Sequence, residues 1–414
     1  MGRRSRISWA LYDWGNSAFA TTVMAGFFPV FFKEYWASDL SATDSTFWLG
    51  LGNSVASVLM VLFAPLIGAL ADQGSNKKRF LLLFAFLGAL MTSSLFLIAA
   101  GMWPVALAFY ALGIIGFSGS IVPYDALLVD VAEEKDLDRV SALGYAFGYL
   151  GGGLLFALNV LMVLMPDRFG LENSGQAVRI SFLMVGLWWG AFSIPLMLFV
   201  HEQHPRPADK HILRNALREI VENLREVRRF RTVALFLLAY WLYIDGVDTI
   251  VRMAVDYGLA IGFESSDLLT ALLITQFVGF PAALLFGHIG ARHGPKRGIM
   301  IALMAYIIIV FWAWRMQSMW EFYGLAVAIG MVQGGIQSLS RSLYARLIPA
   351  DRAGMFFGVY NMLGKFAAVI GPLLVGGVTV LSGDSRLGIL SVLVLFVAGF
   401  VVLQRVAPPT QTEN

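Results

Sequence analysis

Cysteine is absent and charge is scarce. The 414 residues contain no Cys and only 14% Asp, Glu, Lys and Arg, where soluble domains run near a quarter. The first absence excludes disulfides and thiolate metal sites. The second, beside 58% hydrophobic residues and a mean hydropathy of +0.72, excludes a soluble globular chain. Histidine is thin as well. The five His lie in loops or at helix ends, so no histidine proton relay is expected, and His201 and His204 lack the further ligands that a metal needs. There is no P-loop to drive a nucleotide-powered pump, and no Ser/His/Asp or Cys/His constellation, so neither an enzyme nor a cofactor is expected. Lys and Arg sit in short loops rather than on one basic face, and the net charge of +3 does not point to nucleic acid.

What is abundant is the long apolar run. Twelve such runs of membrane-spanning length predict an all-α membrane protein. Six lie between about Ser8 and Val200, and six between about Thr232 and Val406. The expected division is an N-terminal six-helix bundle over 1–204, a linker over 205–231 and a C-terminal six-helix bundle over 232–414. Pro205 and Pro207 open the linker, and Ile212, Leu213, Ala216, Leu217, Ile220, Val221, Leu224 and Val227 recur there at helical spacing among Arg and Glu. This predicts an amphipathic helix, on the membrane surface or packed against the protein. Arg3, Arg4 and Arg6 superficially open a secretory signal, but Asp13 and Asn16 interrupt the apolar run that follows, and an uncleaved first helix is expected.

The halves echo each other. Trp9, Asp13, Asn16 and Ser17 follow W-x3-D-x2-N-S, and Trp241, Asp245, Asp248 and Thr249 follow W-x3-D-x2-D-T. The turn between helices 2 and 3, GALADQGSNKKR from Gly68 to Arg79, recurs between helices 8 and 9 from Gly287, with Ala291 at the Asp72 position. Asp138 and Arg139 before helix 5 match Asp351 and Arg352 before helix 11. With the N-terminus inside, 22 Lys and Arg fall in cytoplasmic segments against five outside, which predicts both termini in the cytoplasm.

The remaining three cations lie within spans: Arg252, Arg341 and Lys365. So do four carboxylates: Asp13, Asp125, Asp245 and Asp248. Facing lipid, these groups would cost on the order of 20 kcal/mol on insertion scales, so they are expected to face one another or water. Helices 3, 6, 9 and 12 carry no charge in their interiors and are expected outside a polar cavity enclosed by helices 1, 4, 7, 10 and 11. Gln333, Gln337 and Arg341 share one face of helix 10, and Asn361 and Lys365 share one face of helix 11. Interhelical hydrogen bonding alone is the alternative reading of these polar groups.

These features resemble the major facilitator superfamily: two similar six-span halves, a basic G-x3-D turn and its relic. YDWGNSAFATTVMAGFFP in helix 1, QGGIQSLSRSLYARLIP in helix 10 and GKFAAVIGP in helix 11 resemble its vacuole-effluxer branch, whose fungal members are associated with autophagy and amino-acid export from the vacuole. The resemblance implies a cytoplasmic gate formed by Gly68, Asp72, Lys77, Lys78 and Arg79, with Asp130 and Arg139 as ionic partners. Gln73 stands where many members carry a basic residue, and GYAFGYLGGG in helix 5 lacks the Pro-Gly element of antiporters. Gly144, Gly148 and Gly152 there fit close helix packing.

The expected function is secondary transport of a small polar solute, an amino acid, by alternating access through a multi-pass protein of the cell (inner) membrane. The expected solute site is Asp13, Asn16, Asp245, Asp248, Gln333, Gln337, Arg341, Asn361 and Lys365, with carboxylates meeting the ammonium and Arg341 or Lys365 the carboxylate. Four intramembrane Asp against three cations suggest proton coupling, with Asp13 and Asp125 as candidates. The alternative is a lipid, lysolipid, metabolite or drug exporter on the same fold. The partners implied are the solute, protons and the bilayer, for a chain acting as a monomer, with no metal.

Overall fold

The computed structural model describes residues 2–74, 76–203, 231–260 and 265–407. Among them are twelve helices long and apolar enough to cross a membrane: α1 (Arg3–Trp36), α2 (Asp44–Asp72), α3 (Lys77–Leu97), α4 (Trp103–Ala126), α5 (Glu134–Leu164), α6 (Ser174–Phe199), α7 (Arg231–Val251), α8 (Asp267–His293), α9 (Pro295–Arg315), α10 (Met319–Leu347), α11 (Ala350–Ser382) and α12 (Ser385–Gln404). In lipid a backbone must satisfy its own polar groups, which is why these runs are helical. An even number of crossings puts both ends of the described chain on one side, here called the terminal face. The expected linker helix over 205–231 lies outside the described residues except for its last position.

Polar residues between the runs start the helices. Ser318 caps α10 in a reciprocal box with Glu321, Asn173 caps α6 and Asp384 caps α12. Gly383, at φ 71, takes the left-handed turn that ends α11. The two basic turns fasten equivalent helix ends. Lys78 at the start of α3 donates from Nζ to the carbonyls of Met197 (3.2 Å) and Val200 (3.1 Å) at the end of α6. Lys296 at the start of α9 donates to Gln404 (3.0 Å) and Val406 (2.6 Å) at the end of α12. A cation at a helix C-terminus meets the negative end of its dipole.

The first and second sets of six helices face each other mainly through α2 against α11, α5 against α8 and α10, and α4 against α11. Helices α3, α6, α9 and α12 make their main contacts within their own set. Small residues make these approaches possible: Gly68 of α2 lies against the backbone of Gly354, and Gly358 of α11 against Ala64. Helix α1 is not uniformly wound. Its residues Phe19–Phe27 and Phe32–Trp36 form wider π-helical turns, just beyond Asp13 and Asn16.

Candidate functional site

Between the two sets lies a cavity of about 300 Å³. Its wall comes from α1 (Asp13, Asn16, Ser17, Thr21), α4 (Tyr124, Asp125), α5 (Tyr145, Tyr149), α8 (Gln276), α10 (Gln337, Arg341) and α11 (Asn361, Lys365). Six of the nine residues expected to hold solute are therefore brought together: Asp13, Asn16, Gln337, Arg341, Asn361 and Lys365.

The floor is a clamp across the two halves. Arg341 Nη1 donates to Asp125 Oδ1 (3.0 Å), Nε to Ser141 Oγ (2.9 Å) and Nη2 to the Ser141 carbonyl (2.8 Å). Asn361 Nδ2 donates to the other oxygen, Asp125 Oδ2 (3.0 Å), and Ser141 Oγ donates in turn to the Ser338 carbonyl (2.7 Å). The guanidinium carbon stands 4.4 Å from the Tyr145 ring centroid, 4.9 Å from Trp9 and 5.4 Å from Tyr124. Both charges are buried, so the pair is tolerable only because each guanidinium nitrogen donates a hydrogen bond and aromatic faces surround it. Trp9 stacks on Tyr124 at 4.4 Å and donates from its indole to the Tyr124 carbonyl (3.0 Å), fixing α1 to α4.

Above the clamp, Asp13 accepts from Ser17 Oγ (3.2 Å) and, weakly, from the Tyr124 hydroxyl (3.4 Å). Asn16, 1% exposed, lines the cavity, and its side-chain amide lies near the Tyr12 hydroxyl yet makes no hydrogen bond of good geometry. A buried amide in that state is poised for a polar ligand. Lys365 sits one helical turn beyond Asn361, away from the terminal face. Gly144 and Gly148 of α5 carry no side chain because Tyr124, Trp9 and Arg341 crowd the first, and Ser17 and Asp13 the second.

A second space of about 610 Å³ opens at the opposite face, lined by residues including Ala25, Glu34, Ser174 and Leu272. Ala25 lies one turn beyond Thr21, and Leu272 one turn beyond Gln276, so α1 and α8 carry one continuous face from this vestibule to the central cavity.

The terminal face is closed. Asp72 at the end of α2 accepts from the backbone N–H of Gly354 on Oδ1 and of Met355 on Oδ2, each at 2.8 Å. A carboxylate there meets the positive end of the α11 dipole. Lys77 Nζ lies 3.9 Å from Asp72 and 3.0 Å from Asp130, whose other oxygen accepts the Gln203 N–H (2.8 Å). Glu202 accepts the Lys78 N–H (3.0 Å), and its partial burial pushes that carboxyl above the usual range. On the α5 side, Asp138 accepts from Ser342 Oγ (2.6 Å) and Arg346 Nη2 (2.7 Å). Arg139, expected as the ionic partner, is exposed, and its neighbour Asp138 makes the cross-half bonds. Arg79 reaches only Asn76 (3.3 Å) among these contacts.

Helix α7 departs from expectation. Asp245, Asp248 and Gln333 are absent from the cavity wall, which takes residues from α5 and α8 instead. Asp245 turns toward α11, where its Oδ1 accepts the Gly371 N–H (2.9 Å). Tyr145, Tyr149 and Gln276 were not expected. The only sequence signal for the first two is their four-residue spacing beside the helix 5 glycines. Among the described residues no group of His, Asp and Glu could hold a metal.

Residues 41–412 match the family model described as "Vacuole effluxer Atg22 like". The chain is 38% identical to the uncharacterized MFS-type transporter YxiO of Bacillus subtilis (strain 168), over 98% of this chain and 95% of that one. It is 28% identical to autophagy-related protein 22 of Yarrowia lipolytica, over 58% of this chain and 45% of that longer relative. In fold it is similar to the human organic anion transporter MFSD10, with a TM-score of 0.74 at 16% identity, covering 98% of this chain and 100% of that one. FucP in the outward conformation gives 0.71 at 14% identity, with 98% and 100% covered.

Proposed function

The chain belongs to the vacuole effluxer Atg22-like family of major facilitator superfamily transporters, and we propose that it carries a small zwitterionic solute, an amino acid, by alternating access. The observation that carries this reading is one cavity between the halves lined by Asp13 from one and Lys365 from the other, above a floor where Arg341 and Asp125 are paired. Arg341 is bonded to Asp125 and Ser141, and the solute carboxylate is assigned to Lys365, which lines the same cavity one turn beyond Asn361 along α11. Asp13 meets the ammonium, with Asn16 supplying a donor and an acceptor beside it. A volume of about 300 Å³ suits a single small metabolite and falls at the small end of ligand pockets. A lipid is a poorer match to a cavity of this volume whose wall carries Asp13, Asp125, Arg341 and Lys365, even with Phe117 and Ile121 supplying apolar surface.

The positive-inside bias makes the terminal face cytoplasmic, in the cell membrane. The arrangement of the gate then corresponds to a state closed to the cytoplasm and reached from the other side. Gly68, Asp72, Lys77 and Asp130 hold that closure, and the two six-helix bundles, 1–204 and 232–414, rock about the Arg341 clamp.

Counterflow in proteoliposomes tests the reading. Vesicles are loaded with unlabelled amino acids, and uptake of labelled ones is followed for the native chain, Asp13→Asn and Lys365→Ala. Uptake by the native chain and background signal for both variants is expected. Equal uptake by all three would remove both residues from the site.

A further inference from the structure

Asp245 is a buried carboxyl that the proposed solute site does not use. It is 1% exposed, and its two oxygens differ. Oδ1 accepts from the Gly371 N–H at 2.9 Å and lies 3.5 Å from Thr249 Oγ1. Oδ2 makes no hydrogen bond of good geometry among the described residues, although the Ile370 N–H lies near the carboxyl, and the buried indole N–H of Trp241, one turn earlier on the same helix, makes none either. An ionised carboxylate oxygen left bare in a protein interior is costly, whereas a protonated one is neutral and carries a donor. Asp13 and Asp125 contrast with it. Both oxygens of each are engaged, by Ser17 and Tyr124 in one case and by Arg341 and Asn361 in the other.

The position of Asp245 joins it to a moving part. Gly371 immediately precedes Pro372, which interrupts the hydrogen-bond ladder of α11. A side chain at 371 would run into Thr249 and Asp245, so the absence of one permits the contact. The other end of α11 is held by Asp72 at the terminal face. One helix thus carries the gate contact at its start, Lys365 in the cavity and the Asp245 contact beyond it.

We propose that Asp245 Oδ2 is the site of the coupling proton, set apart from the solute cavity and linked to it through α11; this rests on the transport reading above. A proton from water at one face adds to Oδ2, forming an O–H bond and a neutral carboxyl. It returns to water at the other face when the halves have rocked. Among the described residues the charged and titratable groups on the elements packed around the site are few. Tyr243 and Asp248 share its helix; Tyr360 and Lys365 belong to α11; Arg341 of α10 is committed to Asp125; and α12, which packs along α7, carries none over Leu393–Gln404.

The test needs no solute. Spin labels are attached at Lys33→Cys and Trp320→Cys, both exposed at the opposite face on different halves, in a chain with no native cysteine. The label–label distance distribution in lipid vesicles is expected to shift with pH in the native background and to lose that shift in Asp245→Asn, which keeps an acceptor for Gly371. Alongside, amino-acid counterflow at equal pH is expected to stay within about twofold in the variant while accumulation against a pH gradient is lost. A native distribution indifferent to pH overturns the proposal, as does a pH shift that survives in Asp245→Asn and disappears in Asp13→Asn. Accumulation driven by sodium rather than by pH overturns it too. Failure of counterflow with an intact, Asp245-dependent pH shift would count against the amino-acid reading alone.

Discussion

Arg341→Ala is expected to destabilise the fold by about 3–5 kcal/mol and to abolish transport, the cost of breaking a buried ion pair by removing one partner. The guanidinium makes three hydrogen bonds and lies among three aromatic rings. Its loss leaves Asp125 held by Asn361 alone, and takes from Ser141 the side-chain donors that its hydroxyl and carbonyl accept from the other half. Arg341→Lys keeps the charge but cannot reproduce a fork that bonds Asp125 and Ser141 together, so an intermediate loss is expected. Replacing both charges, Arg341→Ala with Asp125→Ala, is expected to be less destabilising than the sum of the single changes, because no bare charge remains. Thermal unfolding in detergent of the four proteins measures the coupling. Additive effects would mean that the pair is not the clamp described.

Asp72→Ala has the second largest expected effect, and it falls on conformation rather than stability. The carboxylate closes the terminal face through the amides of Gly354 and Met355, and hydrogen bonds to a charged group contribute about 1.5–3 kcal/mol each. Losing even one such contribution from the closed state alone shifts its population about ten- to a hundredfold relative to the alternative. Spin labels at Arg139→Cys and Arg292→Cys, exposed on α5 and α8 at this face, should then report a longer distance, with Asp72→Asn between the native chain and Asp72→Ala. An unchanged distribution would show that the Gly68–Gly354 packing and the Asp138 bonds close this face unaided.

The twelve spans were legible because a helix that must satisfy its backbone in lipid announces itself by apolar length. The cavity was partly legible for a related reason. Gln337 and Arg341, or Asn361 and Lys365, share a helix face, and polar faces in a membrane have to meet. The same rule does not say which polar faces meet each other. Asp245 repeats the spacing of Asp13, and each packs on a glycine, Gly371 of α11 or Gly148 of α5; but Pro372 follows the first where Tyr149 follows the second, and the two carboxyls end in different surroundings. Tyr145, Tyr149 and Gln276 were missed because aromatic and amide side chains in an apolar run do not stand out as charges do. The partners of Asp72 are backbone amides, which residue type cannot reveal. The family resemblance implies Arg139 as an ionic partner of the gate, whereas burial decides which of two adjacent residues faces the other half, and that one is Asp138.

The central claim is that one cavity recognises both poles of a zwitterion. Counterflow of a labelled amino acid, challenged with excess unlabelled competitor, tests it most directly. The parent amino acid should compete fully, while the amine lacking its carboxylate and the acid lacking its ammonium should compete poorly, each having lost its contact with Lys365 or Asp13. Equal competition by all three, or none by the parent, would contradict the account.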